Sequence, residues 1–121
     1  MKKVLIIITT ATLIIVACSK SNNTTGSIPG DPPLDCSTVS AKTFATDVSP
    51  IIQTKCATDG TCHGSGSTNG PGPLINYTAA FNSRVAIRSA VASGEMPKTG
   101  SLTAAQRNSI LCWIDSGAPN N

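Results

Sequence analysis

Charge, aromatic side chains and histidine are all scarce in this chain. Only 12% of its 121 residues are charged, and Lys2 and Lys3 supply two units of the formal net charge of +3. That balance offers no basic stripe for a nucleic acid or another polyanion. Four aromatic residues, Phe44, Tyr77, Phe81 and Trp113, are all that is available to seed a core. A small domain with so thin a core normally leans on a staple such as a disulfide, a metal or a cofactor. No internal repeat is present, and no stretch alternates apolar and polar residues as a half-buried strand does. An all-α domain is therefore the expectation. The longest apolar run also falls short of the roughly 20 residues that a membrane-spanning helix needs.

That run, Val4 to Val16, follows Lys2-Lys3 and is interrupted only by Thr9, Thr10 and Thr12. A positive start followed by a short apolar segment is the plan of a signal peptide, here residues 1–17. Ile15-Val16-Ala17-Cys18 resembles the lipobox of bacterial lipoproteins, which implies that Cys18 is lipidated and becomes the first residue of the processed chain. Ser19 after that cysteine, rather than Asp, favours sorting to the outer membrane, facing the periplasm. Residues 18–35 are dominated by Ser, Asn, Thr, Gly and Pro and read as a tether that cannot repay the entropy of ordering. Residues 36–121 are left as one folded domain, expected to be a monomer.

Within that domain the pattern is one of short helices. Val48, Ile51, Ile52 and Lys55 sit at helical spacing, with Phe44 one turn earlier; Pro50 is expected at the first position of a helix capped by Ser49, with residues 44–48 forming a preceding turn or a bent first segment. Asp59 to Pro73 holds half of the ten glycines, so no regular element runs through it. Thr78 to Ala92 is helical in composition, with Phe81, Val85, Ile87, Ala90 and Val91 on one face, a break near Asn82-Ser83, and Gly94 as terminator. Thr103-Ala-Ala-Gln106 is a capping box opening a last helix. Ile110, Leu111, Trp113 and Ile114 supply its apolar face, and Gly117 and Pro119 stop it.

The segment that carries chemistry is Lys55-Cys56-Ala-Thr-Asp-Gly-Thr-Cys62-His63-Gly64. A cysteine followed directly by histidine, with a second cysteine shortly upstream, is the pattern of covalent haem attachment. Two thiols add to the two vinyl groups of the porphyrin, and the adjacent histidine is thereby delivered beneath the iron. From about Phe44 to Asn121 the chain resembles the small class I type cytochrome c domains. Their order of a helix, a Cys…Cys-His loop, a Gly-Pro segment, a helix, a Met-Pro turn and a closing helix is matched in turn. The matching pieces are Val48–Lys55, Cys56/Cys62/His63, Gly70-Pro-Gly-Pro73-Leu74, residues 78–92, Met96-Pro97 and residues 103–116. The closing Trp113-Ile-Asp-Ser-Gly-Ala-Pro119 resembles the end of envelope domains of this kind.

The resemblance implies a small bundle of short helices around one haem c. Cys56 and Cys62 would be the thioether residues, His63 the proximal iron ligand and Met96 the distal one. A thioether is a soft donor, and a His/Met pair raises the reduction potential. The first and last helices are expected to cross at one haem edge, and a carbonyl of the Gly-Pro segment, at Pro71 or Pro73, to orient His63. Leu74, Ile87 and Trp113 are candidate wall residues, and each equally fits an ordinary core. The implied role is electron transfer to and from redox partner proteins at a membrane, with no catalysis by side chains. One departure from the family pattern stands out. Five residues separate the cysteines where two are common, as if Thr61 were inserted, and Asp59-Gly60 is a turn dipeptide that can bulge the extra length outward.

Cys36 and Cys112 have no ligand beside them and are expected to pair in an oxidising compartment, closing a loop worth about 4 kcal/mol on the chain-entropy model. A haem-free lipoprotein with Cys56–Cys62 and Cys36–Cys112 disulfides, serving a binding or structural role, is the alternative. It leaves the placement of the only histidine directly after Cys62 without a reason. A blue-copper carrier would need two histidines and usually a β-sandwich.

Overall fold

A computed structural model of the chain describes residues 34–121. The expected signal peptide, the lipidation site Cys18 and all but the last two residues of the tether lie outside the described residues. The domain is all-α, and no strand occurs among the described residues. A π-helical turn, Phe44–Val48, runs directly into α1, Ser49–Lys55. After a long irregular loop come α2, Tyr77–Asn82, α3, Arg84–Ala92, and α4, Ala104–Asp115. No helix among the described residues is long and apolar enough to cross a membrane.

The π turn is the structural answer to Pro50. A proline inside an α-helix lacks the N–H and pushes its ring against the carbonyl four residues back. Here the preceding turn is widened to five-residue hydrogen bonds, Val48 N–H to Thr43 O at 3.1 Å and Ser49 N–H to Phe44 O. The run therefore passes the proline without ending. This corrects the expected cap. Ser49 already has helical backbone angles and is the first residue of α1, Pro50 is the second, and Val48 stands at the cap position with no side-chain hydrogen bond.

The remaining boundaries follow local chemistry. Asn76 caps α2 by accepting the Ala79 N–H at 2.9 Å. Helix α4 opens with Thr103 accepting from Gln106 N–H while the Gln106 side chain accepts from Thr103 N–H, the reciprocal box that satisfies two orphan donors. The break between α2 and α3 falls at Ser83 and resets the helical phase, so Phe81 and Val85 do not share a face. Within α3, residues 86, 87, 90 and 91 form one stripe at helical spacing, and Val85 lies opposite it, 75% exposed. The expected place of Val85 on the apolar face is thus overturned.

Helix α4 is the centre of the domain. Arg107, Ser109, Ile110, Leu111, Cys112 and Trp113 are all buried, which leaves it covered on nearly every side, as a helix in the middle of a core is. The π turn packs on one side of it and α3 on another. Phe44, Val48 and Ile52 present one continuous buried edge from the first helical run. All four aromatic residues meet around Tyr77, which lies 5.1 Å from Phe44 edge-on, 5.6 Å from Phe81 and 6.5 Å from Trp113 between ring centroids. The polar ends of this cluster are satisfied: Trp113 Nε1–H donates to Pro119 O at 2.9 Å and Tyr77 O–H to Ala118 O at 3.0 Å.

Three ties fasten the periphery to α4 and its tail. A disulfide joins Cys36 to Cys112 across a sequence separation of 76. Arg88 and Asp115 form a two-point ion pair at 2.7 and 3.1 Å, linking α3 to α4. Asn121 receives Phe44 N–H on its side chain at 2.9 Å and Ala45 N–H on its main-chain carbonyl at 2.8 Å.

Candidate functional site

The loop after α1 is built on its own hydrogen bonds. His63 N–H donates to Cys56 O at 2.9 Å, so the backbone at the first cysteine is held beside the residue that follows the second. The five residues between them form an outward turn organised by Asp59. Its carboxylate accepts from Thr61 N–H at 2.8 Å, Thr61 O–H at 2.6 Å and Cys62 N–H at 3.1 Å. Those bonds, the Thr61 hydroxyl first, hold the Asp59 carboxyl below the usual carboxylate range. Residues 58 to 61 are exposed. The extra length is thus absorbed outside, with the loop ends kept together.

Gly64 closes this turn. Its N–H reaches Asp59 O at 2.7 Å, and a Cβ on Gly64 would stand 2.5 Å from that same oxygen. Gly64→Ala must therefore push the turn open. The expected result is a loss of about 2 kcal/mol in urea unfolding, in the range of overpacked sites, with the helical circular dichroism of the native state retained. Ser67, also buried, donates its hydroxyl to Cys62 O, and Asn69 returns to Thr61 O at 2.7 Å.

His63 is 8% exposed, and its Nδ1 is 3.1 Å from Gly72 O. A carbonyl can only accept, so this contact places the ring proton on Nδ1 and leaves the Nε2 lone pair as the donor to a metal. The orienting carbonyl was expected at Pro71 or Pro73. It belongs to the glycine between them, where φ of +83° turns the peptide toward the imidazole in a way that neither proline ring allows. Leu74 N–H to His63 O at 2.7 Å and Gln53 Nε2 to Leu74 O at 3.1 Å fasten this strand of loop to α1.

Cys56, Cys62, His63 and Met96 all line one cavity of about 410 Å³, within the usual range for cofactor sites. Its walls are mostly apolar, with Ile52 and Leu74 from one part of the chain and Ala86, Ile87, Ala90 and Val91 from the α3 stripe. Lys55 and Lys98 are its charged lining residues. Leu74 and Ile87 stand where a wall was expected. Trp113 does not, being fully buried in the aromatic cluster instead. Both cysteines are free, half-buried thiols. Burial pushes the Cys56 thiol up, and the nearby Cys62 adds to the shift. It therefore stays protonated at neutral pH, unlike the low-pKa thiols of redox-exchange sites.

Set against family models, curated proteins and solved structures, the chain matches none of them. Among the described residues no three His, Cys, Asp or Glu side chains gather as a bare metal ion would require. An iron that brings its own equatorial nitrogens needs only two protein donors, and the donor set here, one imidazole and one thioether on an apolar cavity beside two thiols, has that chemistry.

Proposed function

We propose that the domain is a monomeric electron-transfer module with one covalently attached haem c, held at the cell envelope through a lipid on Cys18. Cys56 and Cys62 would carry the thioether bonds, His63 would be the proximal ligand and Met96 the distal one. The observation that carries this reading is the proton placement on His63: Gly72 O occupies Nδ1, leaving Nε2 as ligand on a cavity shared with both thiols and Met96. A bound haem would supply one-electron exchange between ferric and ferrous iron. The chain's own residues do the rest. Gly72 fixes the imidazole, the α3 stripe and Leu74 exclude water, and a thioether at the distal position favours the ferrous state. The small helical bundle is then a cytochrome c-like one, and its partners are redox proteins rather than small substrates or nucleic acid.

Protein made beside a cytochrome c maturation system should carry haem that survives denaturing electrophoresis, with a mass increased by one haem. The haem-free alternative shares the Cys36–Cys112 bond and predicts no haem stain and a mass matching two disulfides. That result would decide for a binding or structural lipoprotein.

The anchor follows from the sequence around Cys18, on the outer membrane facing the periplasm. Cys18→Ser should leave a soluble or uncleaved form in cell fractionation. A mutant still recovered as a processed, detergent-extracted membrane protein would refute the anchor.

A further inference from the structure

Met96 has space on two sides. Besides the main cavity it lines a second one of about 210 Å³, together with Gly94, Pro97, Leu102 and Arg107. Met96 therefore borders open space beyond the main cavity, and the hydrogen bonds at the end of α3 restrain the turn that carries it. The last carbonyls of a helix have no partner within it, and here three in succession are taken. Ala90 O accepts Met96 N–H at 3.1 Å, Val91 O accepts Gly94 N–H at 3.3 Å, and Ala92 O accepts Arg107 Nη2–H at 3.2 Å. The first two bonds are internal to the turn. The third reaches in from α4.

Arg107 is 5% exposed. A buried guanidinium is costly unless fixed by hydrogen bonds, and its place at the α3 C-terminus also sets a positive charge at the negative end of the helix dipole. Helix α4 is in turn fastened through Cys112 and Asp115.

We propose that Arg107 is the positioning residue for Met96, tying the turn that carries it to α4 so that the thioether stays on the main cavity rather than swinging into the one behind. This rests on the reading of Met96 as distal ligand. Arg107→Met keeps the long apolar stem and removes the donors, whereas Arg107→Lys keeps the charge and loses the planar fork.

The test uses the full haem-loaded chain and reads three quantities. These are the weak sulfur-to-iron absorption band against temperature, the rate at which the ferrous protein takes up carbon monoxide, and global unfolding by circular dichroism. In Arg107→Met the band should disappear well before global unfolding, and carbon monoxide uptake should quicken about tenfold, the scale of one lost charge-assisted hydrogen bond. Arg107→Lys should fall between this variant and the wild type. A variant that is less stable overall, yet keeps its band up to unfolding and its uptake rate, would overturn the proposal by making Arg107 a purely structural residue. Should Arg107→Met not fold, the same readings on Arg107→Lys decide, and an unchanged uptake rate there overturns it. A wild-type protein that holds haem but lacks the band overturns the ligand assignment and this proposal together. A wild-type band unmoved in both variants overturns the role of Arg107 alone.

Discussion

Met96→Ala should abolish the sulfur-to-iron band of the oxidised protein, open the ferrous iron to carbon monoxide and lower the reduction potential, with the haem still covalently attached. The argument is elimination followed by chemistry. His63 is the only histidine in the chain, so a second imidazole is not to hand. Lys98 also lines the cavity, but its ammonium is 3.1 Å from Glu95 and must lose a proton before it can bind iron. The thioether binds without any such step. Its removal should shift the potential by about 0.1 V or more, a modest share of the ~0.8 V that axial ligands control. Redox titration and carbon monoxide difference spectra check this. A mutant with both band and potential intact would make Met96 a packing residue.

Replacing both Cys56 and Cys62 by alanine should have the largest effect of all, the complete loss of haem stain after denaturing electrophoresis. Each single replacement should leave one thioether and a retained, shifted spectrum. The wild-type loop closes through His63 N–H to Cys56 O and through the Asp59 turn, neither of which uses a sulfur atom. The double mutant is therefore expected to keep its helices, and circular dichroism before and after separates lost attachment from lost folding. Stain persisting in the double mutant would mean that the haem is held elsewhere.

What could be read from the residues was what they determine locally. The capping box of α4 needs only Thr103 and Gln106, the break at Ser83 needs only poor helix formers beside a small polar residue, and both stand where expected. Asn76 carries the same local signal for α2. Structure and expectation part where the outcome depends on distant atoms or on accumulated angles. Which carbonyl of Gly70 to Pro73 faces His63 depends on the backbone angles of the whole loop, so the two prolines hid the glycine between them. The turn ahead of Pro50 stands where expected, but it runs straight into α1, so Ser49 lies inside the helix instead of capping it. Of the two places open to Trp113, wall or core, it takes the core, where its indole N–H reaches Pro119 O. Arg107 gave no signal at all, as a lone arginine in the first turns of a helix reads as solvent-facing until α3 is placed beside it.

The position of α4 has a consequence for the cavity. The first helical run and α3 belong to opposite walls, and each leans on α4. In mechanical terms α4 is a backstop shared by two jaws. A molecule seated between the jaws would touch Ile52 and Leu74 on one side and Ile87 and Val91 on the other, and so act as a keystone, joining parts of the chain that otherwise meet through α4. Occupancy and folding would then be one linked equilibrium, and a bound cofactor would offset the scarcity of aromatic residues.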